Sequence, residues 1–182
     1  RIRRLRNNCN GALYYRDRGI VGMEQDYAEH LRERREQKEQ YFAEHPQSPI
    51  PRQVQDDFPG LEYFPLDEDL RFELELEEHE EKERLVVETT TGNEQEYVRW
   101  GEFSVEVDGE EYTLQAYKSA PHEDRLWVPF RDETNGEETY GAGRYLDLEA
   151  DHYLGDGQWV LDFNQAYNPT CAYNDAYECP LI

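Results

Sequence analysis

The chain has 182 residues, of which 37% are hydrophobic and 34% charged, and its formal net charge is -23. That length suits one domain with a real core. The acidic charge argues against a nucleic-acid partner, since one polyanion repels another, and no apolar run is long enough for a membrane span. Aromatic residues reach 13%, including 14 Tyr, and apolar residues alternate in several segments. The low hydropathy therefore reads as a folded domain under an acidic surface, not as disorder.

The charge is uneven. Residues 1–22 hold six Arg against the single acid Asp17, a contribution of +5, so the rest of the chain carries -28. This segment has no periodicity and is expected to be a disordered basic leader or extension, the alternative being a genuine basic arm; Cys9 goes with it. Beyond it the acids are spread evenly and lysine falls to Lys38, Lys82 and Lys118. Such a surface repels itself in dilute buffer, and molar salt screens that repulsion. A salt-adapted cytoplasmic protein is the expectation, with an acidic partner-binding face as the rival. No signal-peptide pattern precedes it, because Gly11 to Val21 is broken by charges.

A single domain is expected over 23–182. Tyr27, Leu31, Lys38, Tyr41 and Phe42 recur near helical spacing, predicting a helix over 24–45 that Pro46 ends. Pro46, Pro49 and Pro51 open an extended connector, 46–69, expected to cover the strands. From Leu70 the period becomes two. Phe72, Leu74 and Leu76 alternate with glutamates, and Phe103, Val105 and Val107 run up to Asp108-Gly109, a two-residue hairpin signal. Further turns stand at 89–93, at Asn135-Gly136 and at Gly155-Asp156-Gly157. About eight strands with no helical crossover predict a mainly β (α+β) domain over 70–182: an antiparallel meander curled into a roll or barrel, with the helix packed on it.

Two stretches concentrate polar side chains with little charge between them, Pro129–Tyr145 and Val160–Tyr173. The first offers Arg131, Tyr140, Arg144 and Tyr145; the second offers Asp162, Asn164, Tyr167, Asn168 and Cys171. A guanidinium at Arg131 or Arg144 can hold a carboxylate or phosphate through two hydrogen bonds, while the same pair read blandly is surface Arg/Asp. Tyr140-Gly141-Ala142-Gly143-Arg144 lacks the spacing of a phosphate loop. Asp162 and Asn164, before the Asn168-Pro169 turn, serve either a ligand or the local backbone. Cys171 and Cys179 lack the close pairing that zinc requires, so no metal and no cofactor is expected. The two thiols are read as buried free cysteines or a redox-sensitive pair; a nucleophilic Cys171 would need His122 or His152 as its base.

The run Val128-Pro129-Phe130-Arg131-Asp132, with Thr134, Gly136, Thr139-Tyr140 and Gly143-Arg144-Tyr145, carries a resemblance. So does Asp162-Phe163-Asn164, with Ala166-Tyr167-Asn168-Pro169, Cys171-Ala172-Tyr173 and Cys179-Pro180. Together they resemble the prokaryotic family called domain of unknown function 1684, and the helix with His45–Pro51 looks like its haloarchaeal members. The resemblance spans about Met23 to the end and implies an uncharacterised soluble protein. It also implies a further C-terminal strand after Cys-Pro-Leu, so the chain is expected to be truncated. Three readings stand. One is a domain binding a small polar or anionic ligand in a pocket lined by Arg131, Tyr140, Arg144, Tyr145, Asp162, Asn164, Tyr167 and Asn168. Another is a hydrolase, with Asp162 as base and Arg144 as charge stabiliser, or with Cys171 as nucleophile. The last is a structural or interaction protein. Arg144 is expected to face an open pocket.

Overall fold

The computed structural model describes residues 21–180; the expected basic leader and Cys9 lie outside the described residues, save that Val21 and Gly22 open the helix. The described residues fall into two compact units, 21–66 and 67–180. In the first, α1 spans Val21–Glu44. His45 donates its amide to Tyr41 as a last helical bond, and Pro46, with no amide hydrogen, ends the run. The Ser48 hydroxyl then donates to the Phe42 carbonyl at 2.5 Å. That bond satisfies one of the carbonyls left open at a helix C-terminus. Leu31, Phe42 and Ile50 are buried. Arg35 donates to the Phe64 carbonyl and lies over the Tyr63 ring at 4.6 Å, so the proline-rich connector runs back along the helix.

The second unit carries eight strands: β1 (Arg71–Glu75), β2 (Glu77–Glu88), β3 (Glu94–Val107), β4 (Glu110–Lys118), β5 (Leu126–Phe130), β6 (Arg144–Leu148), β7 (Tyr153–Gly155) and β8 (Gln158–Asp162). They form a five-stranded sheet in the order β2-β3-β4-β5-β6 and a three-stranded sheet in the order β1-β8-β7, with every pair antiparallel. Asp108 and Gly109 take φ of 53° and 76°, the left-handed pair that a two-residue hairpin needs. Asn135-Gly136 lies inside the longer connection of the β5–β6 hairpin.

The unbroken meander expected from the alternation is interrupted at Leu76. β1 pairs with β8, from Arg71 opposite Asp162 to Glu75 opposite Gln158, and not with β2. The Leu76 amide donates to the Gly157 carbonyl, and the next residue opens β2 in the other sheet. Gly101 makes that corner possible, because a Cβ there would stand 2.5 Å from the Glu77 carbonyl oxygen. Among the described residues the two sheets stay separate and neither closes on itself. They share one core, in which Phe103, Leu126, Val128, Leu148 and Leu161 are almost fully shielded. Each such side chain contributes about 1.5–3 kcal/mol by leaving water. The other face of the five-stranded sheet is not bare. Trp127 packs there against Tyr97, Tyr117 and Tyr145, with ring centres 4.8–5.6 Å apart, which is why β5 reads as a continuous apolar run.

Candidate functional site

β4 and β5 meet at one register position, Tyr117 opposite Trp127, and then separate. Pro129 has no amide hydrogen to offer a neighbouring strand, and proline inside a sheet sits where no ladder bond is made. The gap is a cavity of about 440 Å³, walled by Glu111–Gln115 and Tyr117 on one side and Pro129, Phe130 and Arg131 on the other, with Ala142, Tyr145 and Pro180 at its margin. Leu114 and Phe130 belong to the core while Tyr117 and Tyr145 belong to the aromatic face. The slot therefore runs between the two sides of the sheet.

The eight residues expected to bind a ligand fall into four neighbouring groups, of which one lines the slot. Arg131 and Tyr145 line the slot. Arg131 is exposed, and its Nε donates to the Ala142 carbonyl at 2.9 Å. Among the described residues its terminal nitrogens have no partner. Tyr145 donates its hydroxyl to the Pro180 carbonyl at 2.8 Å, and burial pushes its ionisation well above the usual phenol range.

Arg144 does not face an open pocket. It is 6% exposed, and its Nη2 lies 2.6 Å from Oδ2 of Asp132, which is fully buried. The carboxylate decides this placement. The other oxygen of Asp132 accepts from the Thr134 amide and hydroxyl, and the Asp132 amide donates to Asn135 Oδ1 at 2.7 Å. Asn135 Nδ2 in turn donates to Thr139 Oγ1 and the Tyr140 carbonyl. The 131–143 loop thus folds around one buried anion, and Arg144 supplies its countercharge. Gly143, at φ 123°, lets the loop return; a Cβ there would lie 2.8 Å from the Phe130 carbonyl oxygen. Burial holds the Arg144 guanidinium below its ordinary range, and Asp132 opposes that effect.

Asp162 and Asn164 form a third group. Asp162, 2% exposed, accepts from the Asn164 amide and side chain and from Gln165. Asn164 also makes a reciprocal pair with the Asp67 backbone, at 2.8 and 2.7 Å. This ties the end of β8 to the entry of β1.

Tyr140, Tyr167, Asn168 and Cys171 make the fourth. Tyr167 exchanges both backbone bonds with Tyr145 and donates its hydroxyl to Asp147 at 2.6 Å. Burial first and then that carboxylate push its phenol far up. Asn168 Oδ1 accepts the Tyr140 amide. The Cys171 thiol faces the Tyr140 hydroxyl at 3.8 Å and is pushed up to about 11 by burial and by Cys179. No histidine hydrogen-bonds Cys171 among the described residues: His122 is exposed, and His152 accepts the Glu149 amide. Nor does any group of three metal-ligating side chains occur among them, and no described helix is long and apolar enough to cross a membrane.

Sequence reasoning missed the β4 wall and the buried role of Asp132. Pro129, inside an otherwise strand-like apolar run, was the available signal for the first. Asp-x-Thr-Asn, a carboxylate followed by short local donors, was the signal for the second.

Two antiparallel sheets on one core, a slot between splayed strands and a polar loop tied by a buried ion pair define a mainly β protein class. The chain belongs to the family described as protein of unknown function DUF1684, whose family model matches residues 56–182. It is also similar to the uncharacterized protein from gene locus rrnAC0354 of Haloarcula marismortui, known from a solution NMR structure. The two are 42% identical, the match covers 88% of each chain, and the TM-score is 0.67. No curated protein matches.

Proposed function

We propose that the 67–180 unit is a binding domain whose β4–β5 slot takes a small polar or anionic ligand. Arg131 carries the reading. Its Nε is fixed by the Ala142 carbonyl while both terminal nitrogens remain available at the slot. A guanidinium held in this way has already lost part of its rotamer freedom, and its planar fork matches a carboxylate or phosphate. Glu111 on the facing wall suits a hydroxyl or ammonium on the same ligand, and Tyr117 and Tyr145 supply aromatic surface. In this reading Arg144, Asp162, Asn164, Tyr167 and Asn168, with Tyr140, hold the loops around the slot and do not touch the ligand. The two sheets are read as a roll opened along the β4–β5 gap. The acidic surface is read as adaptation to a salt-filled cytoplasm, which the similarity to a Haloarcula protein supports.

The test is an NMR titration in molar KCl with acetate, citrate and inorganic phosphate. Shifts should concentrate on the Arg131 Nε–H and on Thr113 and Tyr145. Arg131→Ala should weaken binding about 10-fold or more, as expected for a charge-assisted pair. Shifts scattered over the surface, or unchanged affinity in the variant, would overturn the reading.

A further inference from the structure

Outside the slot, the described residues hold two buried nucleophiles close together: Cys171 and Cys179, 7% and 4% exposed. We propose that they are a reversible thiol–disulfide pair, a modification site in which Cys179 is the attacking sulfur and Cys171 the resolving one. The sequence brings them together over a short turn. Thr170–Ala172 form a single 3-10 turn, Tyr177 donates its amide to the Asn174 carbonyl, and the chain returns so that Cys179 Sγ accepts the Cys171 amide at 3.2 Å. That amide nitrogen is one bond from the Cys171 Cα. The Cys179 sulfur therefore already stands beside the residue it would bond, as a bridge between the two requires.

The Cys179 end of the loop is anchored to the 89–91 turn. The Cys179 carbonyl accepts the Thr90 amide at 2.9 Å, and its own amide donates to Thr90 Oγ1. Thr89 pairs with Pro180 across an isolated bridge, and Thr89 and Thr91 both donate to Glu178. Cys179 is therefore held where its sulfur meets the Cys171 backbone.

The two sulfurs are not equivalent. Cys179 receives the Cys171 amide and faces the Thr170 hydroxyl at 3.6 Å, so negative charge developing on sulfur is better held there. With a hydroperoxide as oxidant the step balances. The Cys179 sulfur attacks the distal peroxide oxygen, so that an S–O bond forms as the O–O bond breaks, and the leaving alkoxide (hydroxide from hydrogen peroxide) takes up the proton given up by the thiol. The Cys171 sulfur then attacks that sulfenic sulfur, forms the S–S bond and releases water with its own proton. Two thiols are oxidised by two electrons and one peroxide is reduced. A small oxidant suits sulfurs this buried, where a bulky disulfide does not.

The experiment uses the full chain with Cys9→Ser, native in molar KCl and treated with hydrogen peroxide. Free thiols counted after denaturation should fall from two to none, with a loss of two mass units that dithiothreitol reverses. The oxidised form should melt higher by about 5–10 °C, because a short loop is closed. With Cys171→Ala in the same background, dimedone should trap a sulfenic acid on Cys179; with Cys179→Ala it should trap little on Cys171. Two surviving thiols, irreversible sulfinic acid, or dimers joined through these cysteines would overturn the pair. Dimedone trapping on Cys171 in preference would overturn the assigned order.

Discussion

Arg131 and Arg144 come from one polar stretch and do different work because of one carboxylate. Asp132 is buried with its oxygens satisfied by Thr134 and Arg144. Truncating the guanidinium takes a countercharge away from a fully buried carboxylate. Arg144→Ala should therefore destabilise the fold by roughly 3–5 kcal/mol in urea melts at high salt; a loss near zero would place Arg144 outside the scaffold. The tyrosines give a second handle. In the unfolded chain a phenol ionises near about pH 10, whereas burial raises Tyr145 and Tyr167 above that in the fold. Above pH 10 the unfolded state therefore binds fewer protons, so this contribution is complete below pH 10 and is lost as pH rises. The melting temperature should fall from pH 9 to pH 11, and the fall should be shallower in Tyr167→Phe. An equal slope in both would contradict it.

At the scale of elements, the corner at Leu76 decides the architecture. A Cβ on Gly101 meets the Glu77 backbone, which cannot swing aside as a side chain can. Gly101→Ala should cost about 1–3 kcal/mol, as overpacking does, read as a lower urea midpoint; an unchanged midpoint would show that the corner has slack. This corner also marks the limit of what the sequence discloses. Alternation placed Phe103, Val105 and Val107 on a core face, and Asp108-Gly109 at its hairpin, because side-chain period and left-handed turns are local properties. That β1 leaves β2 for β8 is a long-range choice written in no local pattern. The candidate residues are polar and turn-rich for local reasons too. Asp162 with Asn164, and Asp132 with Thr134 and Asn135, bond neighbours two or three positions away. A composition rich in such groups therefore points to loop construction as readily as to a ligand. The slot arises where two strands part, and only Pro129 hinted at it.

For the whole molecule, charge sets the solution behaviour. The lysines that remain include two placed on the Trp100 ring, Lys82 at 4.3 Å and Lys118 at 3.9 Å from its centre, while the acids other than the buried Asp132 and Asp162 are spread along the chain. Screening their repulsion should raise the melting temperature between dilute buffer and molar KCl; a flat or falling trend would remove salt adaptation from the reading. The binding proposal is tested most directly by citrate-induced thermal shift at constant KCl, in wild type and in Arg131→Ala. Citrate should raise the melting temperature of the wild type and not that of the variant, whose unliganded stability should stay within about 0.5 kcal/mol of wild type, as for a surface change. Equal stabilisation of both proteins, or of neither, would contradict a site at the β4–β5 slot.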